Sequence, residues 1–168
     1  LHAGGKFDHT AYRSSGGLHG VGASVVNALA EVFKARVWRD GYEWTQDFSR
    51  GKPKGNLKKG KPTKAHGTEI YFKPDTDIFS KTTFNAKTIL DVTESKAFLN
   101  KGLEIVFFDD TANPKTEVTF RHDGGIAEYI AKLIADRGKG IVPAGSTAFY
   151  KSHENGVKLE FALCWSEA

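Results

Sequence analysis

The chain has 168 residues, 39% of them hydrophobic, with a net charge of +4 and an isoelectric point near 9.1. That length holds one domain with a real core and part of another. No apolar run approaches the length of a membrane span, and the single cysteine, Cys164, excludes an internal disulfide framework and fits a reducing, cytoplasmic compartment. The mild basicity admits an acidic partner such as nucleotide or DNA, without specifying a fold. The first residues are polar and glycine-rich, unlike a signal peptide. Methionine is absent throughout, position 1 included, so the expectation is an internal piece of a longer protein.

Residues 1–15 are polar, contain glycine and show no period; they read as a loop. Next comes Gly16-Gly17-Leu18-His19-Gly20-Val21-Gly22, followed at once by the apolar run Ala23-Ser24-Val25-Val26-Asn27-Ala28-Leu29-Ala30. Glycines let a backbone approach a ligand closely. The first N–H groups of a helix lack intrahelical partners, and the helix dipole favours an anion there. The combination is a phosphate-holding arrangement. It lacks the Lys-Ser or Lys-Thr of a Walker loop and the third glycine of a dinucleotide fingerprint, so a plain glycine hinge before a core helix stands as the alternative. The helix is predicted over 21–34, with an inward stripe at positions 25, 26, 29 and 33. Asn27 lies off that stripe, as a surface or packing residue.

Ala35 to Asp40 and Tyr42 to Ser49 alternate around Asp40-Gly41, a hairpin signal. Residues 51–66 hold Lys52, Lys54, Lys58, Lys59, Lys61 and Lys64 with Pro53 and Pro62. They read as a basic loop, either solvated or touching DNA phosphates, with no interleaved aromatics for base stacking. A strand follows from Gly67 to Lys73, with Thr68, Ile70 and Phe72 on one face. Residues 84–98 pattern as a helix. Leu103 to Phe108 and Thr116 to Arg121 pattern as a hairpin. Gly124-Gly125 opens a helix with Ile126, Tyr129, Ile130, Leu133 and Ile134 on one face. A last hairpin spans Ser146 to Ser152 and Val157 to Trp165, and Cys164 between Leu163 and Trp165 reads as a packed thiol. The irregular order of helices and strands predicts an α+β fold.

Longer stretches carry a resemblance. Leu1-His2-Ala3-Gly4-Gly5-Lys6-Phe7-Asp8, Tyr12, Ser15 to Gly22 and Ser24 to Leu29 resemble the ATP-lid region of type IIA DNA topoisomerase B subunits. Bacterial gyrase B subunits are nearest and topoisomerase IV B subunits second, both within the GHKL ATPase superfamily. The similarity continues through His66-Gly67-Thr68-Glu69-Ile70, Phe72 to Asp75, Phe98 to Gly102, Asp123 to Ile126 and Leu163-Cys164-Trp165. The resemblance implies a two-layer ATPase sandwich, mostly antiparallel sheet with helices on one face, over residues 1–122. It implies the start of a transducer domain over 123–168.

It also implies a cofactor, ATP with Mg2+, and roles residue by residue. Gly17, Leu18, His19, Gly20, Val21, Gly22 and Ala23 match the segment that gives backbone amides to the triphosphate. Lys6 matches a lid lysine that neutralises phosphate charge, and Tyr12 a lid tyrosine near the adenine. His19, between Leu18 and Gly20, orients the loop or meets phosphate. Thr68 matches a Gly-Thr that reaches adenine through water and an acidic partner. Arg39 matches a pocket-rim position that aminocoumarin inhibitors contact; read alone, it is an ordinary exposed strand arginine. The family's activating glutamate, magnesium-binding asparagine and Asp-x-Gly-x-Gly motif are matched nowhere in this chain, and neither is its transducer lysine. No catalytic residue and no metal ligand is therefore assigned, and the isolated chain is expected to be inactive. The implied partners are the gyrase A protein, a second copy of the B protein on ATP binding, and double-stranded DNA, with no membrane. A non-enzymatic DNA-binding module is the contrasting reading. The six scattered histidines lack metal-ligand spacing.

Overall fold

A computed structural model describes residues 21–143, 149–154 and 158–167. The chain divides into two compact units, Leu1–Thr83 and Phe84–Ala168. Every strand pairing described is antiparallel, which with three helices makes the fold α+β.

In the first unit, helix α1 (Gly22–Ala28) leads into β1 (Ala30–Arg39), β2 (Tyr42–Ser49), β3 (Lys52–Pro53), β4 (Lys58–Pro62) and β5 (Gly67–Pro74). The sheet runs β3-β2-β1-β5, and β4 also pairs with β2. Asp40 and Gly41 both have positive φ (54° and 79°). That backbone twist matches a two-residue hairpin turn, and it sets Arg39 opposite Tyr42 and Phe33 opposite Phe48.

Two expectations are corrected here. The helix predicted over 21–34 ends at Ala28, and β1 begins at Ala30 rather than Ala35. The carbonyls of Leu29 and Ala30 accept from Asp75 N (3.1 Å) and Arg50 N (2.8 Å), so distant turns claim the backbone that would have continued the helix. The stretch 51–66 is not simply a loop. Its β3 and β4 lie along β2, with Lys54 N donating to Asp47 O at 2.8 Å and Thr63 N to Gly41 O at 2.9 Å. Both strands carry a proline, which an edge position tolerates because no further strand needs its missing N–H.

Alternation divides the sheet into two faces. Phe33, Ala35, Val37 and Arg39 share one with Phe48, Trp44 and Tyr42 of β2 and with Phe72, Ile70 and Thr68 of β5. Ala30, Phe33 and Phe48 form the buried core there, the two rings meeting edge-on at 5.9 Å and 79°. The other face is polar: Arg36 pairs with Glu69 at 3.5 Å, Lys34 lies over the Tyr71 ring, and Trp38 donates to Glu43 at 3.1 Å. Below the core, Asp75 is 1% exposed. Arg50 reaches it from a left-handed backbone (φ 50°) and bonds both carboxylate oxygens, Nη2 to Oδ1 at 3.0 Å. Arg50 also pairs with Asp77, and Asp77 N donates to Asp75 Oδ1 at 3.0 Å.

In the second unit, α2 (Ala86–Leu99) packs against the hairpin of β6 (Glu104–Asp109) and β7 (Thr116–Arg121). Asn85 caps α2, its Oδ1 accepting from Thr88 N at 2.9 Å. Helix α3 (Ile126–Asp136) packs on β10 (Lys158–Leu163), which pairs with β9 (Phe149–Glu154). Short strands β8 (Ile141–Val142) and β11 (Trp165–Ser166) pair as well. Phe98 is buried, with the His122 ring stacked on it at 3.5 Å and the Tyr129 ring at 4.8 Å. Cys164 is half-buried beside Ile130, Leu133 and Ile134, while its neighbours Leu163 and Trp165 are exposed.

Candidate functional site

Of the residues singled out in the sequence, Lys6, Tyr12, Gly17, Leu18, His19 and Gly20 lie outside the described residues. Val21, Gly22, Ala23, Thr68 and Arg39 lie within them.

Val21 is the N-cap of α1 and makes no side-chain cap. A valine has no oxygen to offer the first helical amides, so the orphan donors at this end are left to other partners. A Cβ built on Gly22 would meet no atom within 4 Å, so packing among the described residues does not require a glycine there. With seven residues, α1 has little dipole of its own, and the favourable field there comes mainly from the first-turn amides.

Thr68 lies in β5 opposite Val37 of β1. Its side chain is exposed, on the apolar face. Among the described residues its hydroxyl has no hydrogen-bond partner. Arg39 ends β1 on that same face. Its side chain is 72% exposed and its only carboxylate neighbour among the described residues is Asp40, at 3.6 Å. Two positions beyond Val37, Arg39 stands on the diagonal from Thr68, where cross-strand neighbours are about 7–8 Å apart. Residues 29 apart in sequence thus come together on one sheet face, a juxtaposition that only the strand register reveals.

Sequence reasoning missed what accompanies Arg39. Tyr42 and Trp44 occupy its face, Trp44 Nε1 donates to the Arg39 carbonyl at 3.3 Å, and Lys59 Nζ lies 3.4 Å from the Tyr42 ring centre and 5.6 Å from that of Trp44. The aromatics absent from the basic stretch itself are therefore supplied by β2. The readable signal was Asp40-Gly41, which dictates that Tyr42 faces Arg39. A second missed cluster surrounds His122. Its Nδ1 lies 2.7 Å from Glu128 Oε1, while Nε2 is buried and faces Glu94 Oε1 at 4.0 Å, too far for a hydrogen bond. Gly124 N donates to Glu128 Oε2 at 3.1 Å, and Lys132 pairs with Glu94 at 3.5 Å and Asp136 at 3.3 Å.

Charge is strongly organised around Asp75. Hydrogen bonds from Arg50, then from Asp77 N, hold its carboxyl below the usual carboxylate range, and the same Arg50 bond raises the guanidinium. Asp75 faces away from solvent and is fully matched, which makes it a structural fastener rather than a reactive acid. No group of three or more His, Cys, Asp or Glu side chains able to hold a metal occurs among the described residues, and no described helix is long and apolar enough to cross a membrane.

No protein-family model matches the chain. Curated proteins do. The B protein of DNA topoisomerase 4 from Caulobacter vibrioides is 41% identical over 174 residues, covering 99% of this chain and 24% of that protein. The B protein of DNA gyrase from Synechocystis is 43% identical over 169 residues, covering 98% of this chain and 15% of that protein. Among solved structures, the 43K ATPase domain of Thermus thermophilus gyrase B, crystallised with an aminocoumarin, superposes with a TM-score of 0.77 at 31% identity. That alignment covers 88% of this chain and 39% of the other. The chain thus spans about a quarter or less of the length of these two curated relatives.

Proposed function

We propose, for a chain that is homologous almost end to end to the ATPase region of DNA gyrase B and topoisomerase 4 B proteins, that it forms the ATP-lid half of a nucleotide site in a type II DNA topoisomerase. The observation that carries this reading is identity of about 40% sustained over 98–99% of the chain.

In this reading the backbone amides of Gly17 to Ala23 bind the triphosphate, and Val21 at the start of α1 adds no side-chain cap. Lys6 neutralises phosphate charge, and Tyr12 packs near the adenine. Thr68 offers its free hydroxyl toward the base through water, and Arg39 stands on the pocket rim, where its planar guanidinium stacks or bonds in pairs. Magnesium, when bound with ATP, offsets phosphate charge; the groups that hold it and activate water belong to parts of the family fold that this chain does not match. Residues 1–122 serve as the ATPase part and 123–168 open the transducer. The whole enzyme works in the cytoplasm with gyrase A and a second copy of gyrase B, passing one DNA duplex through another. Gyrase is the main assignment; the 41% identity to a topoisomerase 4 B protein keeps that enzyme as the second.

A segment exchange tests it. This chain replaces the matching segment of Synechocystis gyrase B, and ATP turnover and plasmid supercoiling are measured with gyrase A. Turnover persists, and falls at least tenfold with Gly20→Asp or Lys6→Ala, while the isolated chain turns over no ATP above a buffer control. A folded exchange protein that fails to bind ATP, or isolated-chain turnover abolished by Gly20→Asp, overturns the assignment.

A further inference from the structure

Between Gly51 and His66 the sequence places six lysines, 52, 54, 58, 59, 61 and 64, and no Asp or Glu. All six are exposed, and none makes an ion pair with a carboxylate among the described residues. The backbone carrying them is nonetheless held in place. Strands β3 and β4 pair with β2, Gln46 Nε2 donates to Gly55 O at 3.0 Å, and Lys54 N and Thr63 N bond to β2 and its turn. The β2 carboxylates nearest to it, Glu43 and Asp47, belong to the polar face of the sheet, whereas Lys59 shares the opposite face with Tyr42, Trp44 and Arg39. The result is an ordered cationic edge next to two aromatic rings.

We propose that this edge, β3 through β4 with Arg39 at its side, is a contact surface for the phosphate backbone of duplex DNA. Choosing DNA among polyanions rests on the topoisomerase reading above; the charge geometry stands by itself. Along an extended strand, alternate residues such as Lys59 and Lys61 are about 6.8 Å apart, close to the axial advance of two nucleotides at about 3.4 Å each. Lysines two residues apart therefore match every second phosphate of one strand. Exposed lysines read phosphate rather than base edges, so the contact is sequence-independent. Leu57 is the one large exposed apolar side chain on this edge, too little for insertion into a lipid surface.

The test is fluorescence anisotropy of a labelled 20-base-pair duplex with the 168-residue chain across a potassium chloride series. Each phosphate contact contributes about −0.9 to the slope of log affinity against log salt. By the same relation, Lys58→Gln/Lys59→Gln/Lys61→Gln should flatten the slope by about 2.7, while Lys81→Gln/Lys96→Gln/Lys139→Gln, with the same total charge, leaves it unchanged. Lys52→Gln/Lys54→Gln/Lys61→Gln spares the lysine that packs on Tyr42 and should flatten the slope equally, which covers a folding defect in the first variant. A salt-independent wild type, or equal flattening by the control triple, overturns the surface. So does preference for phosphatidylserine vesicles over duplex. Those outcomes leave ATP binding by the segment-exchange protein untouched, so failure here and failure of the topoisomerase reading are told apart.

Discussion

In the first unit Phe33 meets Phe48 edge-on inside a sheet, and the charged fastener is made by two other side chains, Arg50 and Asp75. In the second, Phe98 lies flat on His122 and Tyr129, and His122 itself carries the polar bond, to Glu128. One unit separates packing from electrostatics; the other puts both into a single side chain. The difference decides what a substitution can reveal. In the first unit, losing a ring and losing a charge are independent events. In the second, one change at His122 removes both, and the two losses do not add.

The largest effect should come from Phe33→Ala, which empties a fully buried ring position and costs about 3–5 kcal/mol. The urea midpoint measures it, and by the same scale a loss below about 1.5 kcal/mol would mean that the Phe33–Phe48 pair is not the core. Asp75→Asn should cost less and change the pH dependence instead. Because Arg50 holds the Asp75 carboxyl below its ordinary value near 3.9, its contribution is complete above that value. It disappears as pH falls through the lowered folded-state value. Midpoints at pH 7, 5 and 3 should therefore decline toward acid in the wild type and decline less in Asp75→Asn. Equal slopes would show that the pair is not the acid-sensitive fastener.

His122→Phe sharpens the contrast by keeping a flat ring while deleting the bond to Glu128. The expected loss is about 1.5 kcal/mol, and adding Glu128→Gln should cost little more; full additivity would separate the two side chains energetically. The smallest effect belongs to Asn85→Ala, outside both ring pairs, where losing the α2 cap costs about 0.5–1 kcal/mol. Far-UV circular dichroism and the midpoint together read it.

What the sequence made legible follows from how locally each element is decided. Tyr42–Ser49 and Thr116–Arg121 match the predicted bounds because alternation and a short turn settle them nearby. The end of α1 was not legible: Phe33 completes a helical stripe with Val25, Val26 and Leu29, yet it also alternates with Lys34 and Arg36. The choice was made by the amides of Arg50 and Asp75, many residues away. Strands β3 and β4 hide for a related reason. Lysine, glycine and proline carry little strand propensity, and the free edge of β2 overrides it. At the site, Thr68 and Arg39 were chosen by resemblance, while their nearness needed the register of β1 against β5. Tyr42 and Trp44 needed the same register on the other side, against β4.

The way α1 ends has a kinetic meaning. A seven-residue helix has no independent existence in water, since nucleation outweighs what so few bonds return. Its last turn is fastened by main-chain bonds: Gly51 N to Asn27 O at 3.0 Å, and Asp75 N to the Leu29 carbonyl just beyond it. No side chain of the helix is needed for either. α1 therefore assembles only after the β2–β3 turn and the end of β5 have arrived. It opens only when the sheet opens. In amide exchange, Gly51 and Asp75 should be protected as long as the strand amides of β1. The start of α1 at Gly22 thus rests on a support held by the sheet itself.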